Sequence, residues 1–443
     1  MSVFSALDTA VSGLTAQSVA FSNISNNIAN SQTVGYKAVD TSFADYLGST
    51  GALEGQSGSV MASTQYNNQV AGAVTSSSAD AALAVNGNGF FLVSEVSGAS
   101  STNAPTFSGT QYYTRAGDFQ SNKDGYLVNS AGEYLDGYAV NPTTGQLNTS
   151  ALQPINVNNV KYNPTATTEV TMAPTVVGNS AFVAGTTTAT PQTSTQTVYD
   201  SAGASHVLTL TWTQTAGAAA ATGTTAATGG TFKLDVAGTN TTPDPTATVT
   251  FNVNGTIQSI TSAAGTTSTT GAEASFSTGS VGADTNAITF NLGQIGVATG
   301  STTMDTSSSA VFTPGTTTQD GTSSGNFTGF TTESDGSIVA QFDNGQSQLI
   351  AKVPVATFAD PNALKAQDGQ AYTATSNSGV ATVQLAGTNI AGTFETKSVE
   401  GSTTSLDTEL TNLIVAQQAY GASAKLVTTA DDMLNTALGM KQQ

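Results

Sequence analysis

The chain has no cysteine. Disulfide frameworks, thiolate metal sites and cysteine nucleophiles are therefore out of reach. Basic residues are scarce as well: Lys plus Arg number 10 against 29 Asp plus Glu in 443 residues, a net charge of −19. Nucleic acid and anionic membrane surfaces both demand clustered cations, so neither is an expected partner. Charged residues of both signs make up 9% of the chain, far under the roughly 25% of ordinary soluble proteins. Ser, Thr, Asn and Gly take their place. No run of about 18 apolar residues occurs, which argues against membrane insertion through a spanning helix. The first basic residue is Lys37, and the apolar residues before it are interleaved with Ser, Thr and Asn. The charged start and continuous apolar run of a secretory leader are both missing, so any export is expected to proceed without a cleaved signal peptide.

What is present concentrates at the two ends. Heptad spacing from Phe4 runs through Leu7, Val11, Leu14, Phe21 and Ile28, broken at Ser18 and Ser25. From Leu406 it runs through Leu410, Leu413, Tyr420, Ala424, Val427, Leu434 and Leu438, broken at Gln417 and Asp431. Each end reads as an amphipathic helix with one apolar seam that must be buried against another element. The opposite terminus is the nearest candidate. Burial within one chain and packing between chains both satisfy such seams. Asn26, Asn27 and Asn30 carry two readings likewise, as cap and turn residues or as polar contacts that set register between neighbouring copies.

The length suits about three domains of roughly 100 to 200 residues. The expected fold is mainly β with terminal α-helices that pair as a coiled-coil-like core domain, residues 1–33 and 400–443. Residues 34–75, rich in Gly, Ser and Gln, read as an extended connector. An inner β-domain is expected over 76–161 and 322–399, where strand-forming runs surround Asn86-Gly87, Asp124-Gly125, Asp335-Gly336 and Asn344-Gly345, the dipeptides that favour hairpin turns. Between its halves, 162–321 reads as an inserted Thr/Gly-rich outer β-domain, with alternating strands at 205–215, 246–260 and 286–293. The last helix opens after Gly401, with Thr404 or Ser405 as cap and Asp407 and Glu409 complementing its dipole.

Catalytic constellations are not in view. His206 is the single histidine, and metal sites and triads need company. Gly321-Thr322-Ser323-Ser324-Gly325 has the spacing of a nucleophile elbow but lacks the strand before and helix after it. Asn122 to Gly125 has the look of a calcium loop, yet Gln120 and Ala131 stand at its first and closing ligand positions, so a hairpin turn is the better reading. Gly87-Asn88-Gly89 lacks the third glycine of a dinucleotide fingerprint. No catalytic, metal or cofactor site is expected, and the chain is not expected to be an enzyme.

MSVFSALDTAVSGLTAQSVAFSNISNNIANSQTVGYK and SLDTELTNLIVAQQAYGASAKLVTTADDMLNTAL resemble the terminal signatures of the flagellar axial proteins, the family of rod, hook and hook-associated subunits. DAALAVNGNGFF and the YTRAGDF and DGYLVN pair are similar to the inner domain of that family. VYDSAGASHVLTLTW, FNVNGTIQSI and the run from Asn326 to Phe358 are similar to its hook branch in particular. Ser402-Thr403-Thr404 stands where the family has Ser-Asn-Val, and Gln418 with Gly421 to Ser423 departs from it too.

The resemblance implies a structural subunit of the bacterial flagellar hook, outside the cell. It would self-assemble into a curved, flexible helical tube that joins rod to filament as a universal joint. Implied partners are further copies of the chain, the distal rod protein, the hook cap protein, the hook–filament junction protein and the flagellar type III export apparatus. The implied assembly interface comprises the seam residues and the three asparagines named above. Rival readings are another axial protein such as the distal rod, or a secreted β-rich adhesin or hydrolase.

Overall fold

The computed structural model describes residues 3–47, 57–99, 105–141, 144–158, 160–173, 175–179, 190–218, 228–241, 243–262, 267–269, 273–282, 284–297, 302–305, 311–313, 315–388 and 391–440. The chain is mostly β with one helix near each end, α1 (Val3–Ala29) and α2 (Leu406–Met440). It divides into two compact units, one formed by 1–160, 327–341 and 347–443, the other by 161–326 and 342–346.

α1 contains no proline or glycine other than Gly13, so its backbone ladder runs unbroken until the asparagines. There Asn30 Nδ2 donates to the Asn26 carbonyl and Ser31 Oγ to the Ile28 carbonyl, both at 2.9 Å, satisfying carbonyls at the helix end, and Thr33 Oγ1 donates to Asn30 Oδ1 at 3.1 Å. Gly35 then turns the chain with φ of 71°. A Cβ at that position would lie 2.4 Å from the Ala116 backbone nitrogen, so glycine is required by both conformation and space.

Residues 34–75 are not the extended connector that composition suggests. Strands β1 (Val39–Leu47) and β2 (Ser57–Tyr66) pair antiparallel from Val39 opposite Tyr66 to Leu47 opposite Ser57. The hairpin lies on α1, held by Asn23 Nδ2 to Thr41 Oγ1 at 2.9 Å, Thr64 Oγ1 to Asn23 Oδ1 at 3.2 Å and the Val60 amide to Ser12 Oγ at 3.2 Å. Polar side chains on both strand faces hide the alternation by which strands are usually read.

The β part of the first unit is built around an antiparallel sheet whose central strands are Tyr134–Ala139, Phe91–Ser94 and Tyr112–Thr114. Phe91 and Val93 enter one core with Phe119, Leu127, Leu135 and Phe394. Phe90 and Leu92 enter another with Tyr113, Phe358 and Tyr372. Burial on both faces explains why this stretch is continuously apolar. Asn86-Gly87 does not close a hairpin: Leu83–Asn86 pairs with Thr393–Thr396, a different partner from that of Phe91–Ser94. The Asp124-Gly125 and Asn344-Gly345 turns do join neighbouring strands.

In the second unit, six antiparallel strands follow one another from Gln192–Tyr199 through Thr267–Thr269. Ser205–Ala216 alternates exposed and buried residues, placing Leu208, Leu210 and Trp212 inward. A four-stranded sheet contributes Val170, Phe276 and Phe290 to the same core. The two crossing segments lie side by side, with Tyr162 bridged to Gly325 and Thr165 to Thr322.

Candidate assembly interface

α1 and α2 pack antiparallel, Asn27 meeting Glu409, Phe21 meeting Tyr420 and Gly13 lying beside Ser423. The face of α2 turned to α1 follows heptad spacing through Glu409, Leu413, Ala416, Tyr420, Ser423, Val427, Ala430 and Leu434. This seam shares Leu413, Tyr420, Val427 and Leu434 with the one expected from apolar size. Its alternate positions fall one residue earlier, on Ala416 and Ala430, because small residues let two helix backbones approach closely. On α1 the most buried positions are Ala10, Ala16, Ala20, Asn23, Ile24 and Asn27.

Leu7, Leu14, Phe21 and Ile28 are half-buried and Val11 is exposed, while the side chains of Phe4 and Leu438 lie outside the described residues. The Phe21 and Tyr420 rings meet edge to face at 6.2 Å between centroids, a favoured aromatic geometry. Leu406 and Leu410 stay on the surface, the latter 50% exposed.

The three asparagines separate. Asn26 is exposed and Asn30 caps α1. Asn27 is 1% exposed and uses its whole amide within the chain. Its Nδ2 donates to the Val39 carbonyl and Glu409 Oε1, both at 2.8 Å, and its Oδ1 accepts from Tyr36 Oη at 3.1 Å and the Val39 amide at 3.0 Å. All four hydrogen bonds of this amide are thus made within the chain, where they tie the end of α1 to the hairpin and to α2. Burial pushes the Glu409 carboxyl above its ordinary range, with Asp40 adding to the rise and the Asn27 amide opposing it.

Where the helices meet the β part, a charge cluster escapes sequence reading. Glu400 Oε1 accepts from Lys37 Nζ at 2.5 Å and the Gly72 amide at 2.6 Å, while Oε2 accepts from Arg115 Nη1 at 3.0 Å. The three charged side chains are at most 3% exposed. Lys37 also donates to the Val70 carbonyl, Arg115 donates to the Val85 and Gly87 carbonyls, and its guanidinium lies 5.3 Å from the Phe90 ring centroid. Burial lowers the Lys37 ammonium from its usual value and Arg115 lowers it further, against the upward pull of Glu400. The Gly35 amide donates to the Glu400 carbonyl at 2.8 Å and the Thr403 amide to the Tyr36 carbonyl at 3.1 Å. The exit from α1 and the entry to α2 are thus fixed to the β part at one point.

The motifs weighed for chemistry resolve locally. His206 Nε2 lies 3.0 Å from Asp200 Oδ2. Asn122 Oδ1 accepts the amides of Asp124 and Tyr126, closing the turn from within. Among the described residues no three His, Cys, Asp or Glu side chains are grouped to hold a metal ion, and no helix is long and apolar enough to cross a membrane.

Residues 7–37 match the family described as "Flagella basal body rod protein", 84–175 "Flagellar hook protein FlgE/F/G D1 domain" and 395–440 "Flagellar basal body rod FlgEFG protein C-terminal". Over its full length the chain is 27% identical to the flagellar hook protein FlgE of Brucella suis, also covered in full. It is 29% identical to that of Salmonella typhimurium, with 98% of this chain and 99% of that one aligned. The crystal structure of Helicobacter pylori flagellar hook protein FlgE2 covers 74% of this chain and 100% of that chain, at TM-score 0.46 and 14% identity. The family matches lie at both helical ends and over 84–175, and the alignments with hook proteins run end to end: along its whole length the chain is similar to flagellar hook proteins.

Proposed function

We infer that this chain is a structural subunit of the flagellar hook, self-assembling through its terminal helices into a curved, flexible tube that transmits torque from rod to filament. One observation carries the reading. With α1 already against its seam, α2 still exposes Leu406, Leu410 and Ile414 on one flank and Val415, Leu426 and Met433 on the other. A helix apolar on three sides is built to be enclosed, and burial at about 25 cal/mol per Å² supplies the cohesion of a polymer. The surface fits a joint that bends as it turns. Short Ser, Thr and Asn side chains exchange one hydrogen bond for another at little net cost, whereas buried ion pairs cost several kcal/mol to break.

The assembly interface in this reading is the exposed apolar surface of α2 with the flanking Val11 and Asn26. Partners are further copies of the chain, the distal rod and hook–filament junction proteins at the two ends, the hook cap during growth and the type III export apparatus, by a route without a cleaved signal. The test is Leu410→Asp. The change lies on the surface of the isolated subunit, so folding and export are expected to persist while polymerisation fails, the buried unpaired carboxylate being too costly. Motile cells with normal hooks carrying this change would refute the reading, as would purified wild-type protein that forms no tubes under electron microscopy in any assembly condition.

A further inference from the structure

α1, the β1–β2 hairpin and the first turns of α2 enclose a cleft of about 460 Å³ lined by Asn23, Asp40, Phe43, Glu409, Val415 and Ala419, among others. Its electrostatics are one-sided. Glu409 is 6% exposed; Oε1 takes the Asn27 amide, and Oε2 has no hydrogen-bond partner among the described residues. Among the described residues Asp40 Oδ2 accepts from Asn67 Nδ2 alone, at 2.6 Å. Two carboxylates thus face a partly apolar cleft that has no cationic side chain among its described lining residues. A largely buried carboxylate is relieved either by holding its proton or by a cation brought against it, and only the second uses the Asp40 carboxylate beside it.

Cations are few enough to be considered one by one. Among the described residues of this unit, which leave out Lys441, Lys37 and Arg115 are engaged by Glu400, Lys123 by Asp124, Lys352 by Asp335 and Lys397 by Asp80. Among the described residues Lys365 and Lys425 have no acidic partner. Lys365 stands on a two-residue strand of the β part. Lys425 stands on α2, next to Leu426, which is 62% exposed, so it brings apolar surface to match Phe43 and Val415, themselves 49% and 60% exposed. Within one chain Lys425 lies sixteen residues beyond Glu409 on a straight helix, about 24 Å away at 1.5 Å per residue. Its own cleft is out of reach.

We propose that the cleft is the seat for Lys425 of a second copy of this chain, the ammonium pairing with Glu409 and Asp40 while Leu426 packs on Phe43 and Val415. The pairing rests on the polymer reading above and makes it specific: a cation on one subunit's α2 is read by the acidic cleft of the next, which fixes the stagger between neighbours as well as adding cohesion.

Purified full-length protein is polymerised and treated with a zero-length carbodiimide, and cross-linked peptides are mapped by mass spectrometry. Interchain links from Lys425 to Glu409 or Asp40 are expected in polymer and not in monomer. In parallel, critical concentrations are measured for Lys425→Gln, for Glu409→Gln, which keeps an acceptor for Asn27, and for the double variant. Each single change should raise the critical concentration about tenfold, and the double change no more than either alone, the signature of a shared contact. Additive effects of about a hundredfold, links from Lys365 in place of Lys425, or wild-type assembly by Lys425→Gln would each overturn the seat while leaving the polymer intact. Restoration of Lys425→Gln by millimolar calcium or magnesium, with no effect on wild type, would assign the cleft to a metal cation and overturn it too. Wild-type protein that does not polymerise at all would overturn the polymer reading itself.

Discussion

Asn27 and Glu409 are 382 residues apart in sequence and share a 2.8 Å hydrogen bond in the interior of the helix pair. Through that contact the end of α1 and the first turn of α2 hold each other in register, while the other three hydrogen bonds of the same amide bind Tyr36 and Val39. One side chain thus joins both helices to the start of the hairpin.

Replacing Asn27 by Ala removes four bonds and leaves buried groups without partners, at about 1–3 kcal/mol for each group that water cannot reach. In assembled protein, amide exchange at Val39 and in the first turns of α2 should accelerate by roughly one to two orders of magnitude, since local opening there becomes easier. Unchanged exchange would show that the contact does not hold the register.

Glu400 is the single acid between two buried cations. Glu400→Gln should lower the unfolding free energy of the first unit by about 3–5 kcal/mol, because it strands Lys37 and Arg115 together. Lys397→Gln breaks an ion pair whose partners are 61% and 68% exposed, and should cost less than about 1 kcal/mol. The Lys37 ammonium is already lowered by burial, so Glu400→Gln should regain stability as pH rises above neutrality and Lys37 sheds its proton. Equal denaturation midpoints for the two variants would contradict the assignment of the cluster.

Glu133 closes the turn between Leu127–Val128 and Tyr134–Ala139, with Asn129 Nδ2 on Oε2 at 2.6 Å. It is 2% exposed, and Oε1 is buried without a hydrogen-bond partner among the described residues. Burial, with help from Glu95 and Asp118 and against the Asn129 amide, pushes this carboxyl up to about 7 from 4.5. The folded state therefore holds the proton more tightly than the unfolded chain. The stability this contributes is complete below about 4.5 and is lost as pH rises to about 7. Urea titrations of wild type and Glu133→Gln should diverge across that window, with the variant the more stable at pH 8. Parallel pH profiles would refute the shift.

Residues that announce themselves locally were legible. The two helices, the Asp124-Gly125 and Asn344-Gly345 turns and the alternating Ser205–Ala216 strand each follow from neighbours within a few positions. The seam on α2 was legible only in part, because size and burial point to different residues: Ala416 and Ala430 are buried, whereas Leu410 and Leu426 face outward. Because the largest apolar residues of α2 lie on its outer flanks, a seam drawn through them is displaced from the internal one. The hairpin over Val39–Tyr66 was missed because its Ser, Thr and Gln residues carry no two-residue contrast. The Glu400 cluster was missed for another reason: its partners lie 363 and 285 residues away, and no local pattern encodes such a pairing.

The last prediction concerns the second unit. Residues 161–326 leave and re-enter the chain side by side, Tyr162 opposite Gly325 and Thr165 opposite Thr322. A short Gly/Ser linker in place of this segment can therefore span the gap without strain. The first unit has its own apolar cores around Phe91 and Phe90 and needs none of the removed residues to complete them. Such a variant should fold and polymerise, because both helices and the Lys37–Glu400–Arg115 cluster remain. It should give straight or irregular tubes, since the contacts between outer surfaces that favour one curvature are gone. The measurement is electron microscopy of hooks from cells expressing the deletion, with circular dichroism of the purified subunit to confirm that it is folded. Regularly curved hooks would place the origin of curvature in the first unit. Export of a folded subunit without any tube would make residues 161–326 part of the assembly interface itself.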